Sequence, residues 1–194
     1  SGRLRRVDGD GVIETVIGSL LLETTDFIDP LVTPTGLSLG SGGTLAITEA
    51  GSHRITLIDL GDNPTRQVLA GVGSSGFSGD GGPASAASLS TPTGLTWTSS
   101  GDLLIADSGN HRLRRITFTE TGPVILTVAG TGDLIATPDG LTPEETTLLF
   151  PYAVVEGPDG AIYVSEAAGS RVRRILDGAV STVIGTGAVS YTHL

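Results

Sequence analysis

The sequence has no cysteine, no methionine and, among its 11 basic residues, no lysine. Without cysteine there is no disulfide framework, no thiolate metal site and no cysteine nucleophile. No methionine stands at position 1 and no signal peptide opens the chain, so it reads as a piece of a longer protein. Aromatic residues make up only 4% of it, too few for the interleaved stacking platforms on which single-stranded nucleic acids bind. No apolar run reaches the roughly 18 residues that cross a bilayer. Acids outnumber bases, 21 against 11, for a net charge of −10. Such a chain repels nucleic acid and anionic membranes unless its cations cluster.

What the sequence has in excess is glycine, 29 of 194 residues, which favours many short strands and tight turns. It also has repeats. Thr35-Gly36-Leu37, Thr93-Gly94-Leu95 and Tyr152-Ala153-Val154 open three segments that align without gaps. They continue through Leu45 to Glu49, Leu104 to Asp107 and Tyr163 to Glu166, and end at His53-Arg54, His111-Arg112 and Ser170-Arg171. A fourth, partial copy begins the chain, where Arg3-Leu4-Arg5-Arg6 matches Arg112-Leu113-Arg114-Arg115 and Arg171-Val172-Arg173-Arg174. Each copy closes on a similar phrase: Thr15 to Gly18, Val68 to Gly71, Thr127 to Gly130 and Thr182 to Gly185. A fixed core with tolerant spacers is the mark of a repeated packing unit.

Each full unit reads as four strands. The first follows Pro34, Pro92 or Pro151, a residue suited to a strand's first position. Gly42-Gly43, Gly101-Asp102 and Asp159-Gly160 then supply hairpin turns. The second strand is apolar on both faces, as in Leu103-Leu104-Ile105-Ala106, and so belongs in a sandwich of sheets. Antiparallel meanders of four strands repeated around an axis make an all-β β-propeller. The expected organisation is 1–18 as the C-terminal half of a blade. Residues 19–72, 73–131 and 132–187 follow as blades with their leading connectors. In the connectors, Pro83 to Ala87 reads as one helical turn and Thr142-Pro143-Glu144-Glu145 as a short helix with an N-cap. The tail 188–194 fits no unit, and Ser190-Tyr191-Thr192-His193-Leu194 looks like an adapter-derived addition.

Ile105-Ala106-Asp107-Ser108-Gly109-Asn110-His111-Arg112-Leu113 resembles the core motif of NHL repeats. Gly76-Phe77-Ser78-Gly79-Asp80-Gly81-Gly82-Pro83-Ala84 resembles a phrase found between the blades of bacterial NHL proteins. The resemblance covers nearly the whole chain but thins in the last unit, where Ala153 replaces the glycine and Gly169-Ser170 replaces Asn-His. It implies a ring of about five to seven blades, commonly six, of which this chain holds about three and a half.

The repeats carry an acid and an arginine five residues apart: Glu49 with Arg54, Asp107 with Arg112, Glu166 with Arg171. A hairpin sets each carboxylate beside its guanidinium, where a bidentate bond would pin the turn. Because a catalytic pair is not repeated in every blade, these are read as structural rather than as a ligand-binding row. His53, Asn110 and His111 lie in equivalent turns and are the candidate rim-binding residues. Gly79-Asp80-Gly81-Gly82 lacks the alternating carboxylates of a calcium loop and the Lys-Ser/Thr ending of a phosphate loop, and is read as a connector turn. Some NHL propellers of tripartite-motif proteins bind RNA on basic surfaces. Here alternation sends Arg112 and Arg114 to one face and Arg115 to the other, so no basic stripe is expected. Related propeller enzymes, lactonases and peptide-amidating lyases, hold a metal in the central channel. The matching positions, Thr35-Gly36, Thr93-Gly94 and Tyr152-Ala153, offer no ligand set.

The reading is therefore a non-catalytic scaffold module that binds a protein, peptide or glycan alongside the remaining blades of the full-length chain. No catalytic residue, metal, cofactor, nucleic acid or membrane is expected. The alternative is part of a metal-dependent lactonase-like hydrolase or lyase whose catalytic ligands lie in other blades. Cysteine-free, acidic composition suits bacterial export, to the periplasm or the extracellular space. An open arc of blades leaves two apolar faces wet, so self-association or fraying of its ends is expected.

Overall fold

The structure, a computed structural model, describes residues 3–17, 31–60 and 65–187; the tail at 188–194, with His193, and the closing Gly18 lie outside them. A two-stranded hairpin comes first, β1 (Leu4–Val7) with β2 (Ile13–Ile17). Three four-stranded antiparallel meanders follow. The first is β3 (Pro34–Leu39), β4 (Thr44–Glu49), β5 (Arg54–Asp59) and β6 (Thr65–Ala70). The second is β7 (Pro92–Trp97), β8 (Leu103–Asp107), β9 (Arg112–Thr119) and β10 (Gly122–Ala129). The third is β11 (Pro151–Glu156), β12 (Ile162–Glu166), β13 (Arg171–Leu176) and β14 (Ala179–Ile184). This is the blade architecture of a β-propeller. Each blade opens on its proline, and β4, β8 and β12 end on the repeated acid.

The doubly apolar second strands explain why the blades stack. Leu103 and Ile105 point back into a core with Ala46, Ile55 and Leu95, between the β3–β6 and β7–β10 blades. Leu104 points forward, into a core with Leu113, Val154, Val164 and Ile175. Every residue from Leu103 to Asp107 is buried. The initial hairpin joins the stack through Leu4, which packs on Leu31, Leu45, Ile47 and Ile58. By contrast Leu37, whose counterparts Leu95 and Val154 are buried, is 64% exposed. Val155 and Ile184 are also exposed.

The inner strands β3, β7 and β11 approach more closely than side chains allow. A Cβ on Gly94 would lie 2.5 Å from the Tyr152 carbonyl oxygen and 2.7 Å from Ala153 Cα. Gly36 meets the Thr93 carbonyl in the same way. Across this gap hydroxyls replace the absent ladder: Thr48 donates to Thr93 O at 2.6 Å and Thr93 to Tyr152 O at 2.8 Å. Ala153 itself is exposed: β7 lies on one side of it, and among the described residues no further inner strand follows on the other. There a methyl group fits where the family motif has glycine.

One element differs from expectation. Residues 142–145 form a single turn rather than a helix. Thr142 and Glu145 make a capping exchange, Thr142 N and Oγ1 donating to Glu145 Oε2 at 3.3 and 3.1 Å, but the chain leaves after that turn to reach β11. The helical turn expected near Pro83 is present as a 3₁₀ turn over Ala84–Ala86.

Gly94→Ala should lower the melting temperature, by about 1–3 kcal/mol of lost stability from overpacking. Gly9→Ala, where a Cβ meets nothing within 4 Å, serves as a neutral control in the same thermal scan.

Candidate functional site

Strand pairing does set each repeated acid opposite its arginine: Glu49 faces Arg54, Asp107 faces Arg112 and Glu166 faces Arg171 in the backbone register. The side chains join directly only in the last blade, where Arg171 Nε donates to Glu166 Oε2. The other two pairs correct the expectation of a bidentate clasp. Asp107 instead accepts from Arg114 Nη1 at 3.2 Å, two residues further along the same face. Glu49 accepts from Arg66 Nη2 at 2.9 Å and from the Thr56 hydroxyl. Length of the acid does not decide the choice, since Glu49 and Glu166 are alike and only Glu166 takes the arginine opposite; Arg112 is held by other partners. That arginine lies 3.9 Å over the Phe77 ring and donates to the Asn110 and Thr131 carbonyls.

The partner that never changes is a backbone amide. Each acid accepts the N–H of the residue 17 positions upstream: Val32 to Glu49 at 2.8 Å, Ser90 to Asp107 at 2.7 Å, Leu149 to Glu166 at 3.2 Å. The buried carboxylate thus pins the connector just before it enters the inner strand. Burial raises the Asp107 pKa, against the lowering effect of Asn110, the Ser90 amide and Arg114.

The second strand-three arginine reaches into the connector. Arg114, fully buried, donates to Asp80 Oδ1 at 2.6 Å and to Ser78 O at 3.2 Å, under the same Phe77 ring. Arg173, also fully buried, stands 3.4 Å from Asp139 in the equivalent connector. Asp139 in turn accepts from Thr182 N and Oγ1, both at 2.8 Å, which holds its carboxyl below the usual range, with Arg173 adding to the effect. Asp80 in the Gly79–Gly82 turn is therefore an anchor for an arginine. These two arginines are unavailable as a surface stripe.

The histidines latch one blade to the next. His53 and His111 cap 3₁₀ turns in the left-handed conformation, both with φ 55°. His53 Nδ1 accepts the Thr91 amide at 2.9 Å and His111 Nδ1 the Phe150 amide at 3.2 Å. Thr91 and Phe150 precede the blade-opening prolines and have φ of 44° and 49°, a costly conformation for non-glycine residues. The latch holds that strained step in place. Asn110 donates to Gly76 O at 2.7 Å and to Asp107 at 2.8 Å. Of the three candidate rim residues, His111 is buried and stacks edge-on against Phe150. The closing Gly71, Gly130 and Gly185 lie against the carbonyls of His53, His111 and Ser170 and have φ near 90°, so both space and conformation require glycine.

Around the inner strands an open space of about 210 Å³ is lined by Thr35, Gly36, Leu37, Thr93, Gly94, Leu95, Tyr152, Ala153 and Val154. Among the described residues no three His, Cys, Asp or Glu side chains converge as metal ligands would.

Residues 89–116 match the family model of the NHL repeat. The chain carries an NHL repeat. The matched segment holds the inner strand, the buried acid, the latch histidine and the buried arginine, Arg114, that clamps the connector of one blade; the β3–β6 and β11–β14 blades repeat its four-stranded course and its buried acid. No curated protein matches the chain in sequence. Among solved structures it is similar to an auxiliary nutrient binding protein from Bacteroides thetaiotaomicron, with TM-score 0.65 and 16% identity over 93% of this chain and 43% of that one. It is similar to virginiamycin B lyase from Staphylococcus aureus, at 0.54 and 18% over 93% and 47%. A gluconolactonase from Xanthomonas campestris follows at 0.52 and 15% over 78% and 47%. At these identities the likeness is one of fold. The chain spans under half the length of each, so the likeness is to part of each of those proteins.

Two outcomes follow for this seam. In urea denaturation Asp107→Ala and Arg114→Ala should each cost several kcal/mol, about 3–5 for breaking a buried pair, and Arg112→Ala distinctly less. His111 has its pKa lowered, by burial first and Arg112 second, against the Leu148 carbonyl. The unfolded chain therefore takes up that proton first, and stability falls as pH drops below about 6.5 towards the lower folded-state value. His111→Gln, which keeps an acceptor but does not titrate, should flatten this part of the pH–stability curve.

Proposed function

We propose that this NHL arc belongs to a non-catalytic binding module whose loops take a protein, peptide or glycan ligand. One observation carries the reading. The repeated acids, the latch histidines and the clamp arginines are bonded mainly to backbone and connector groups that hold blades together, so the repeat's ionisable chemistry serves the scaffold. Recognition then falls to the hairpin turns and connectors, which vary from blade to blade while the scaffold holds them rigid. The auxiliary nutrient binding protein of similar fold supports a ligand-binding role. Export to the periplasm or extracellular space agrees with that role and with the acidic, cysteine-free composition. Among the described residues no helix is long and apolar enough to cross a membrane.

The competing reading, a lactonase or lyase, has support from two neighbours of similar fold. Metal analysis and lactone turnover on the full-length protein, beside a glycan and peptide array, separate the two. The binding-module reading expects array hits that survive chelation, with neither stoichiometric metal nor turnover. Stoichiometric zinc or calcium together with lactone opening would overturn it.

A further inference from the structure

A slot of about 290 Å³ lies between the β3–β6 and β7–β10 blades at the hairpin-turn side, lined by Gly40, Ser41, Thr44, Leu57, Trp97, Gly101 and Phe118. Its size is at the small end of ligand pockets, which run from about 300 Å³ upward. Trp97 and Phe118 stack there with ring centroids 5.5 Å apart and planes 26° from parallel. Phe118 is 42% exposed. Leu57 and Trp97 rest on the buried core between the blades, so the floor is rigid. The indole N–H is shut in, beside the place where a Cβ on Gly40 would sit, and has no hydrogen-bond partner among the described residues. The slot thus presents carbon surface from its rings and hydroxyls from Ser41 and Thr44.

The repeat does not require this chemistry. By the repeat offsets, Leu57, Trp97, Phe118 and Thr44 correspond in the following interface to Arg115, Glu156, Asp177 and Asp102, with Asp177 in the turn after β13. The place is polar: Arg115 stands 4.0 Å from Asp102 of its own blade, and Glu156 accepts the Ser99 amide across the seam at 2.6 Å. That interface closes with polar residues and no ring pair. The aromatic pair, which includes the chain's single tryptophan, is therefore a local departure from a scaffold that is complete without it. No charged side chain lines the slot, in a chain of net charge −10. Its occupant is then uncharged, with an apolar face to lie on rings and hydroxyl groups to meet Ser41 and Thr44.

We infer that this slot binds one pyranose ring of a neutral glycan. The inference rests on the binding-module reading and narrows its ligand. The sugar's C–H face packs on the Trp97–Phe118 surface, and its hydroxyls exchange hydrogen bonds with Ser41, Thr44 and the hairpin backbone. A charged sugar is disfavoured because the slot offers no counter-charge.

Because Trp97 is the only tryptophan, its emission reports this slot directly. The full chain is titrated with methyl glucoside, methyl galactoside, methyl mannoside, maltose and cellobiose, up to roughly 100 mM, a range that captures millimolar affinity. At least one should give a saturable change in emission. Phe118→Asp, which installs the next interface's residue, should abolish it; Phe118→Leu, which keeps the packing without the aromatic face, should weaken it about three- to tenfold. No response to any of the sugars, or a sugar response unaltered in both variants, would overturn the inference. So would a saturable response to N-acetyl-leucinamide in place of the sugars, which would make the slot a peptide side-chain pocket. Any of these failures leaves the binding module intact if array hits persist; loss of array hits with metal-dependent turnover strikes the module itself.

Discussion

Everything in this fold turns on one buried carboxylate per blade. It sits at the end of the second strand, out of water, and accepts the amide of the residue that leads the chain into the inner strand. A carboxylate so placed is expensive to bury unless its lone pairs are filled. Each blade fills them differently: Thr56 and Arg66 in one, Asn110 and Arg114 in the next, Arg171 in the third. The amide bond is the constant and the remaining partners are variations on it. Because the amide belongs to the connector, the same charge organises the strand ladder and fixes the loop that crosses from the previous blade.

The seams between blades add two further layers. Toward the axis, threonine hydroxyls reach across to the neighbouring inner strand where glycine has removed the side chain. Outside it, the histidine latch stabilises a left-handed residue ahead of proline. The apolar filling from both faces of the second strands completes each seam. The arrangement explains why a chain with so few aromatics packs well: short aliphatic residues in a strict alternation supply the contact.

Much of this was legible beforehand. The period, the proline at each strand start, the hairpin glycines and the twice-apolar second strand all specify a blade, because they act through local backbone geometry and alternation. The partners of the charged residues were not legible. Counting positions places Arg112 opposite Asp107, and the backbone does put it there, but the ion pair forms with Arg114, which also binds a connector carboxylate, Asp80, while Arg112 goes to Phe77 and two carbonyls. Spacing says nothing about a connector folding back over a strand. Likewise Thr142 to Glu145 has every local sign of a helix start, yet the reach to the next inner strand cuts it to one turn. The pairing of Trp97 with Phe118 is hidden in the sequence for a related reason. The two residues are far apart for a motif and belong to the first and third strands of one sheet, where only the folded meander brings them together.

The histidine latch has a further consequence for how such rings grow. The β3–β6 and β7–β10 units carry the acceptor for their successor's amide, and the β7–β10 and β11–β14 units offer an amide to their predecessor's histidine. A tandem copy of the β7–β10 unit therefore arrives with both halves of the joint already matched, on either side. Blade number becomes free to change by duplication without any new interface having to be invented, and diversity can accumulate where the joints are not.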